Sequence, residues 1–156
     1  MNITEANDRI SQGDIEKLEE KLNKKLPDEY KKFLLLHNGG VPISNLSAGN
    51  LELGYLVINE LYGINAKKNY NDLYHTIDVY DGRIPDDFIP IGGDPGGNVY
   101  CLGISGDYFG KVYFWDHEEE DDSDEKADKH AVLPNNMYFL ADSFTSFINR
   151  LTEESN

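Results

Sequence analysis

The chain has 156 residues, with 29 Asp plus Glu against 14 Lys plus Arg and a formal charge of −15 at neutral pH. That length suits one domain able to bury a core without staples, and a lone Cys101 excludes an intramolecular disulfide framework. The acidity repels nucleic-acid phosphates and anionic headgroups and favours cationic partners. No stretch approaches the roughly 20 apolar residues of a membrane helix, and no basic segment followed by an apolar one opens the chain. The expectation is a single cytoplasmic domain over 1–156 with no membrane partner and no direct nucleic-acid partner.

Ser11, with Asp14 three residues on, can close a capping box, and Ile15, Leu18 and Leu22 then recur on one helical face. Pro27 suits the first position of a second helix, where its missing N–H costs nothing, and Asp28 and Glu29 suit the positive end of the peptide dipoles. Tyr30, Phe33, Leu34 and His37 follow at helical spacing. His37 falls at the helix C-terminus, where a cation is favourable. Asn38-Gly39-Gly40 ends the helix.

The alternation of Leu51, Leu53, Tyr55 and Val57 predicts a strand over Leu51 to Tyr62. Asn69 to Ile84 reads as a short helix around Leu73 followed by a loop at Asp81-Gly82. Phe88-Ile89-Pro90-Ile91 is interrupted by proline and reads as an edge strand or a strand start. The cluster from Gly92 to Gly97 is a turn between two strands, and Val99 to Leu102 and Lys111 to Trp115 form an antiparallel pair. From Asp116 to Glu125 there are eight acids and no Lys or Arg, so residues 116–131 are expected to form a mobile acidic excursion. Met137 to Leu140 then leads into a last helix, capped at Asp142 or Ser143, with Phe144, Phe147, Ile148 and Leu151 on one face. The sum is an α+β fold: a mostly antiparallel sheet packed with N-terminal and C-terminal helices.

The chemical motifs are weak. Gly106 to Val112 is one residue short of a phosphate loop and has Val112 where a hydroxyl would hold magnesium. The glycines of 92–97 precede a strand and not a helix, so a tight turn explains them better than anion binding. Cys101 lies within an apolar strand as a small core side chain. His37, His75, His117 and His130 lack the paired spacing of a zinc site, and the acidic run lacks the order and central glycine of a calcium loop. No catalytic residue, cofactor site or metal site is expected.

Four ordered blocks carry a resemblance. Ile15 to Glu19 continues into Leu26-Pro27-Asp28-Glu29-Tyr30-Lys31-Lys32-Phe33-Leu34 and Asn38-Gly39-Gly40. Ile91-Gly92 runs through Gly96-Gly97-Asn98-Val99-Tyr100-Cys101-Leu102. Gly110-Lys111-Val112-Tyr113-Phe114-Trp115-Asp116-His117-Glu118 and Ser143-Phe144-Thr145-Ser146-Phe147-Ile148 complete the set. Over residues 11 to 151 the chain resembles the SMI1/KNR4 (SUKH) superfamily. The resemblance implies an α+β domain without catalytic residues. Bacterial members are immunity proteins that neutralise toxins exchanged between competing cells, and fungal members regulate cell-wall synthesis.

The expected function is therefore that of an immunity protein binding a cognate toxin with a basic surface, a nuclease, by stoichiometric inhibition. The alternative is an intracellular scaffold or regulator akin to the fungal branch. Interface candidates are Tyr108 and Phe109, held between Gly106 and Gly110, together with Trp115, Asp116, Glu118, Glu119, Glu120, Asp121 and Asp122. Trp115 also reads as a core residue at a strand end. The acidic tract reads either as a solvated face or as a means of steering a basic partner. Self-association is left open.

Overall fold

A computed structural model describes residues 2–47, 53–119 and 133–152. Two helices open the fold, α1 over Gln12–Leu22 and α2 over Asp28–Leu36. The capping box forms as its residues demand: the Asp14 N–H donates to Ser11 Oγ (3.3 Å) and the Ser11 N–H donates to Asp14 Oδ2 (2.8 Å). Pro27 caps α2 from one position outside it, and its carbonyl accepts the N–H groups of Tyr30 and Lys31. The link between the helices is held by Glu19, a buried carboxylate that accepts the Leu26 N–H at 2.8 Å.

The sheet comprises β5 (Glu60–Leu61), β6 (Phe88–Gly93), β7 (Val99–Gly103), β8 (Val112–Trp115) and β9 (Met137–Ala141), antiparallel throughout and in that order. Two further pairs lie outside it, β1 (Ile3–Thr4) with β2 (Val41–Pro42) and β3 (Leu46–Ser47) with β4 (Leu56–Val57). Helix α3 (Leu73–Val79) precedes β6, and α4 (Phe144–Asn149), capped by Ser143, follows β9. This is the expected α+β arrangement, antiparallel and flanked by N-terminal and C-terminal helices.

Alternation gives the sheet two faces. Ile89, Ile91, Tyr100, Leu102, Val112, Phe114 and Leu140 point to the inner face and join Ile15, Leu18, Tyr30, Leu34 and Phe147 in the larger core. Phe144 closes on Tyr30 and Phe33 at centroid distances of 5.2 and 5.1 Å, so α2 and α4 cover this face together. Phe88, Val99, Cys101, Trp115 and Met137 point to the outer face and form a second, smaller cluster with Ile84.

One expected element is corrected and an open alternative is decided. The strand proposed over Leu51 to Tyr62 is two short strands, β4 and β5, with Tyr55 exposed before them; Leu51 lies outside the described residues. Of the two readings of the strand containing Pro90, the strand start holds and the edge strand does not: β6 begins at Phe88 and lies between β5 and β7. The Asp87 carbonyl accepts the Ile104 N–H, so alternation turns the Pro90 nitrogen to the side that β5, paired only with Gly92 and Gly93, does not reach. A bulge between Pro90 and Gly92 restores pairing beyond it. His37 is the C-cap of α2 as expected, and burial, with Arg9 adding, lowers its pKa.

One buried amide fastens the end of α2 to the N-terminal segment and to the chain just beyond β5. Asn38, left-handed at φ 47°, donates from Nδ2 to the carbonyls of Asp8 and Ile64 and accepts the Ile64 N–H, each at 2.8 Å. Asn38→Gly keeps the backbone conformation available and removes only the amide. Each buried group left unpaired costs about 1–3 kcal/mol. The variant is expected to unfold at lower urea with an unchanged slope; a midpoint equal to wild type would show that the amide is dispensable.

Candidate protein interface

The connection from β7 to β8 folds back over the sheet. Gly103 and Lys111 pair across it, with the Gly103 N–H donating to the Lys111 carbonyl (2.8 Å) and the Gly110 N–H to the Gly103 carbonyl (2.9 Å). Residues Gly106–Tyr108 make one 3₁₀ turn, which lays the Tyr108 backbone on Gly103. A Cβ at Gly103 would stand 1.8 Å from the Tyr108 carbonyl oxygen, so the fold-back requires glycine there.

This turn orders an aromatic stripe on the outer face. Phe88 meets Tyr108 and Tyr113 at 5.1 Å, Tyr108 meets Tyr113 at 5.9 Å, and Tyr113 meets Phe139 at 5.6 Å. Tyr108 is half-buried by these contacts, whereas Phe109 is 49% and Phe139 44% exposed. Phe109 therefore has the exposure expected of it, and Tyr108 is a supporting ring with one open side. Phe139 was not singled out from the sequence, because Met137 to Leu140 is apolar throughout and does not reveal which face is covered.

Trp115 requires correction as an interface candidate. It is fully buried, beneath the Tyr80 ring (5.5 Å) and the Arg83 guanidinium (5.2 Å), and presents no surface to a partner. These covering groups come from the segment after α3, more than thirty residues away in sequence.

The acidic shoulder begins in order. Asp116 donates its N–H to the Asn136 carbonyl (3.0 Å) and accepts the Glu118 N–H on Oδ1 (3.0 Å), and His117–Glu119 form a 3₁₀ turn. His117 is docked on the β6–β7 turn: its N–H donates to Asn98 Oδ1 (3.0 Å) and its Nε2 lies 2.8 Å from the Gly96 carbonyl. The start of the expected mobile excursion, 116–119, is thus a fixed turn. Glu118 and Glu119 are exposed, and Glu119 accepts the Tyr138 hydroxyl. Glu120, Asp121 and Asp122 lie outside the described residues.

Of the glycine cluster expected as a turn over Gly92 to Gly97, Gly92 and Gly93 belong to β6 and pair with β5 and β7, and the turn itself is confined to residues 94–97. Asp94 accepts the N–H groups of Gly96 (2.9 Å) and Asn98 (2.8 Å) as well as Asn98 Nδ2 (3.0 Å), which occupies its carboxylate internally. Cys101 is fully buried, and burial pushes its thiol far above the ordinary range, away from the thiolate a nucleophile requires. Among the described residues, no group of three His, Cys, Asp or Glu side chains could hold a metal ion, and no helix is long and apolar enough to cross a membrane. A cleft of about 380 Å³ separates α1 from α3 and the start of β6. Its lysines are already engaged, Lys21 with Asp78 (3.1 Å) and Lys24 with the Asp86 carbonyl (3.0 Å).

Comparison with known proteins agrees with this architecture. The SMI1 / KNR4 family (SUKH-1) profile matches residues 9–150, and the chain belongs to that family. Its members are non-catalytic interaction modules, and membership supports an immunity-type, toxin-neutralising role in general. The SPbeta prophage-derived uncharacterized protein YokK of Bacillus subtilis (strain 168) is 27% identical over 158 residues, covering 90% of this chain and 73% of its own length. The uncharacterized protein YobM of the same strain is 35% identical over 75 residues, covering 48% of this chain and 40% of its own length.

Beside the β6–β7 turn, Glu60 has its pKa raised by burial and by the Asp94 charge, against a hydrogen bond from Asn59. A carboxyl raised in the folded state supports folding while protonated, and that support is lost as pH rises through its folded pKa. Glu60→Gln is therefore expected to be more stable than wild type at neutral pH, with the difference closing at acidic pH. Urea midpoints at the two pH values check this, and a pH-independent difference would contradict it.

Proposed function

We propose that this chain is an immunity protein that binds a cognate toxin domain with a basic surface, a nuclease, and neutralises it by stoichiometric inhibition. The observation that carries this reading is a partly open aromatic stripe across the outer face of a sheet whose β8 strand ends in the exposed acids Glu118 and Glu119. A nuclease must present cations to phosphates, so an acidic binder complements the surface its substrate uses. The net charge of −15 speeds encounter with such a surface, and desolvated rings supply residence time. Family membership supports the general role; the nuclease target follows from charge.

In this mechanism nothing is turned over. The rings of Phe109, Tyr108 and Phe139 exclude water from the contact, and the flanking carboxylates pair with lysines or arginines that would otherwise hold nucleic acid.

The direct test is an activity titration of the toxin encoded beside this gene with metal-free protein. Activity is expected to end at one equivalent, without added zinc, calcium or nucleotide and with the toxin's mass unchanged. Tyr108→Ala/Phe109→Ala is expected to weaken inhibition about tenfold or more, chiefly through faster dissociation. A requirement for metal or nucleotide, or a covalently altered toxin, would refute the mechanism; capture of the partner without inhibition would favour the scaffold reading.

A further inference from the structure

The sheet ends on β9, whose residues Met137 to Ala141 carry no charge. Its hydrogen-bond parity can be followed from one fixed point. The Asp116 N–H donates to the Asn136 carbonyl, so Asn136 faces β8; alternation then turns Tyr138 toward β8 and both Met137 and Phe139 away from it. The Met137 N–H is used within the chain, donating to the Pro134 carbonyl at 3.1 Å. At the far end the ladder is bulged opposite Val112, and Arg150 Nη1 covers the Leu140 carbonyl at 3.2 Å. Between these closures stand the Phe139 N–H, the Phe139 carbonyl and the Met137 carbonyl. No described residue bonds to them.

An uncharged, unpaired edge of this kind is a template for another strand. Its two faces prescribe what that strand carries. On the outer face the Phe139 ring is 44% exposed and continues the aromatic stripe through Tyr113. On the opposite face Tyr138 holds the Glu119 carboxylate through its hydroxyl. Beyond the strand, exposed acids flank both ends, Glu118 and Glu119 before it and Asp142 after it. A second copy would bring another −15 charge to this edge.

Resting on the reading of the chain as a binder of a basic partner, we infer that β9 is a docking edge for an extended, antiparallel segment of that partner, with alternating apolar and cationic side chains. The residue opposite Phe139 exchanges two backbone hydrogen bonds with it and has its side chain on the same face, so that residue is apolar. The partner N–H two positions along donates to the Met137 carbonyl. The intervening side chains face Tyr138 and Glu119 and are Lys or Arg.

The probe is a short capped peptide of alternating Val and Lys, in three forms of equal charge: unmodified, N-methylated at the valines, and N-methylated at the lysines. Titrated into the intact protein and followed by amide NMR, the unmodified peptide is expected to shift Phe139 most strongly. Methylation at the valines is expected to weaken binding about tenfold or more, because those are the N–H groups facing β9, and methylation at the lysines to leave it nearly unchanged. Equal affinity for the two methylated forms would reduce the contact to charge attraction and overturn the proposal. So would reversal of their order, no shift at Phe139 at about millimolar peptide, or sedimentation showing a dimer whose dissociation is needed for peptide binding. Toxin neutralisation with these negative results would remove the edge and leave the immunity reading standing, whereas peptide pairing without any neutralisation would do the reverse.

Discussion

The fold is clasped at the end of α2, where a buried Asn38 side chain must satisfy its amide away from water. It does so by bonding both backbone groups of Ile64 and the carbonyl of Asp8, while the Asn38 carbonyl accepts from Asn7 Nδ2 at 2.9 Å. Helix end, N-terminal segment and the chain beyond β5 are thereby held at one point. Gly63 is part of the same constraint, since a Cβ there would stand 2.2 Å from the Asn38 carbonyl oxygen. Reciprocal bonds between Gly40 and Leu61, at 2.9 and 2.8 Å, carry the clasp into β5, and β5 in turn registers on β6. The polar network has a directional accuracy that apolar packing of α1 and α2 alone would lack.

With β5 fixed at one side, β9 is left at the other, and the two faces of the sheet receive unequal cover. The inner face is sealed by α2 and α4 through interlocking rings. The outer face is covered over Trp115 by Tyr80, Arg83 and Ile84, and remains partly open over Tyr113 and Phe139. That inequality positions the candidate interface: the aromatic area crosses the outer face from the β7–β8 connection to the β9 edge, and the first acids of the shoulder follow the far end of β8. His117 and Asn136 add rigidity by tying the exit of β8 to the β6–β7 turn and to the entry of β9. A surface held this way loses little conformational entropy when it is covered.

Much of this was legible locally. The capping box at Ser11, the proline-led α2, the α3 around Leu73, the turn over 94–97 within the glycine cluster and the Ser143 cap all depend on residues within a few positions of one another, and the structure contains each. The ordered blocks likewise led to the correct family. What was not legible depends on distant cover. Val112 to Trp115 is apolar on both faces, so period two says that Tyr113 and Trp115 share a face without saying that Arg83 and Tyr80 bury one of them. The same ambiguity hid the exposure of Phe139. Pro90 marked an edge strand or a strand start without saying which, and only the short reach of β5 along β6 decides for the start. The two-residue strands β1 to β4 are too short to show any period. The ordered start of the acidic shoulder depends on Asn98 and Asn136, which no local pattern connects to Asp116.

Partner recognition is proposed on the outer sheet face and the β9 edge, and hydrogen–deuterium exchange of the chain with and without its toxin partner tests that placement most directly. Protection is expected at Phe109, Tyr113 and Phe139, with the Phe139 amide changing from exchanging freely to strongly protected, while α1 and the cleft beside α3 exchange as in the free protein. Protection confined to α1, α3 and the start of β6, with Phe139 unchanged, would contradict it.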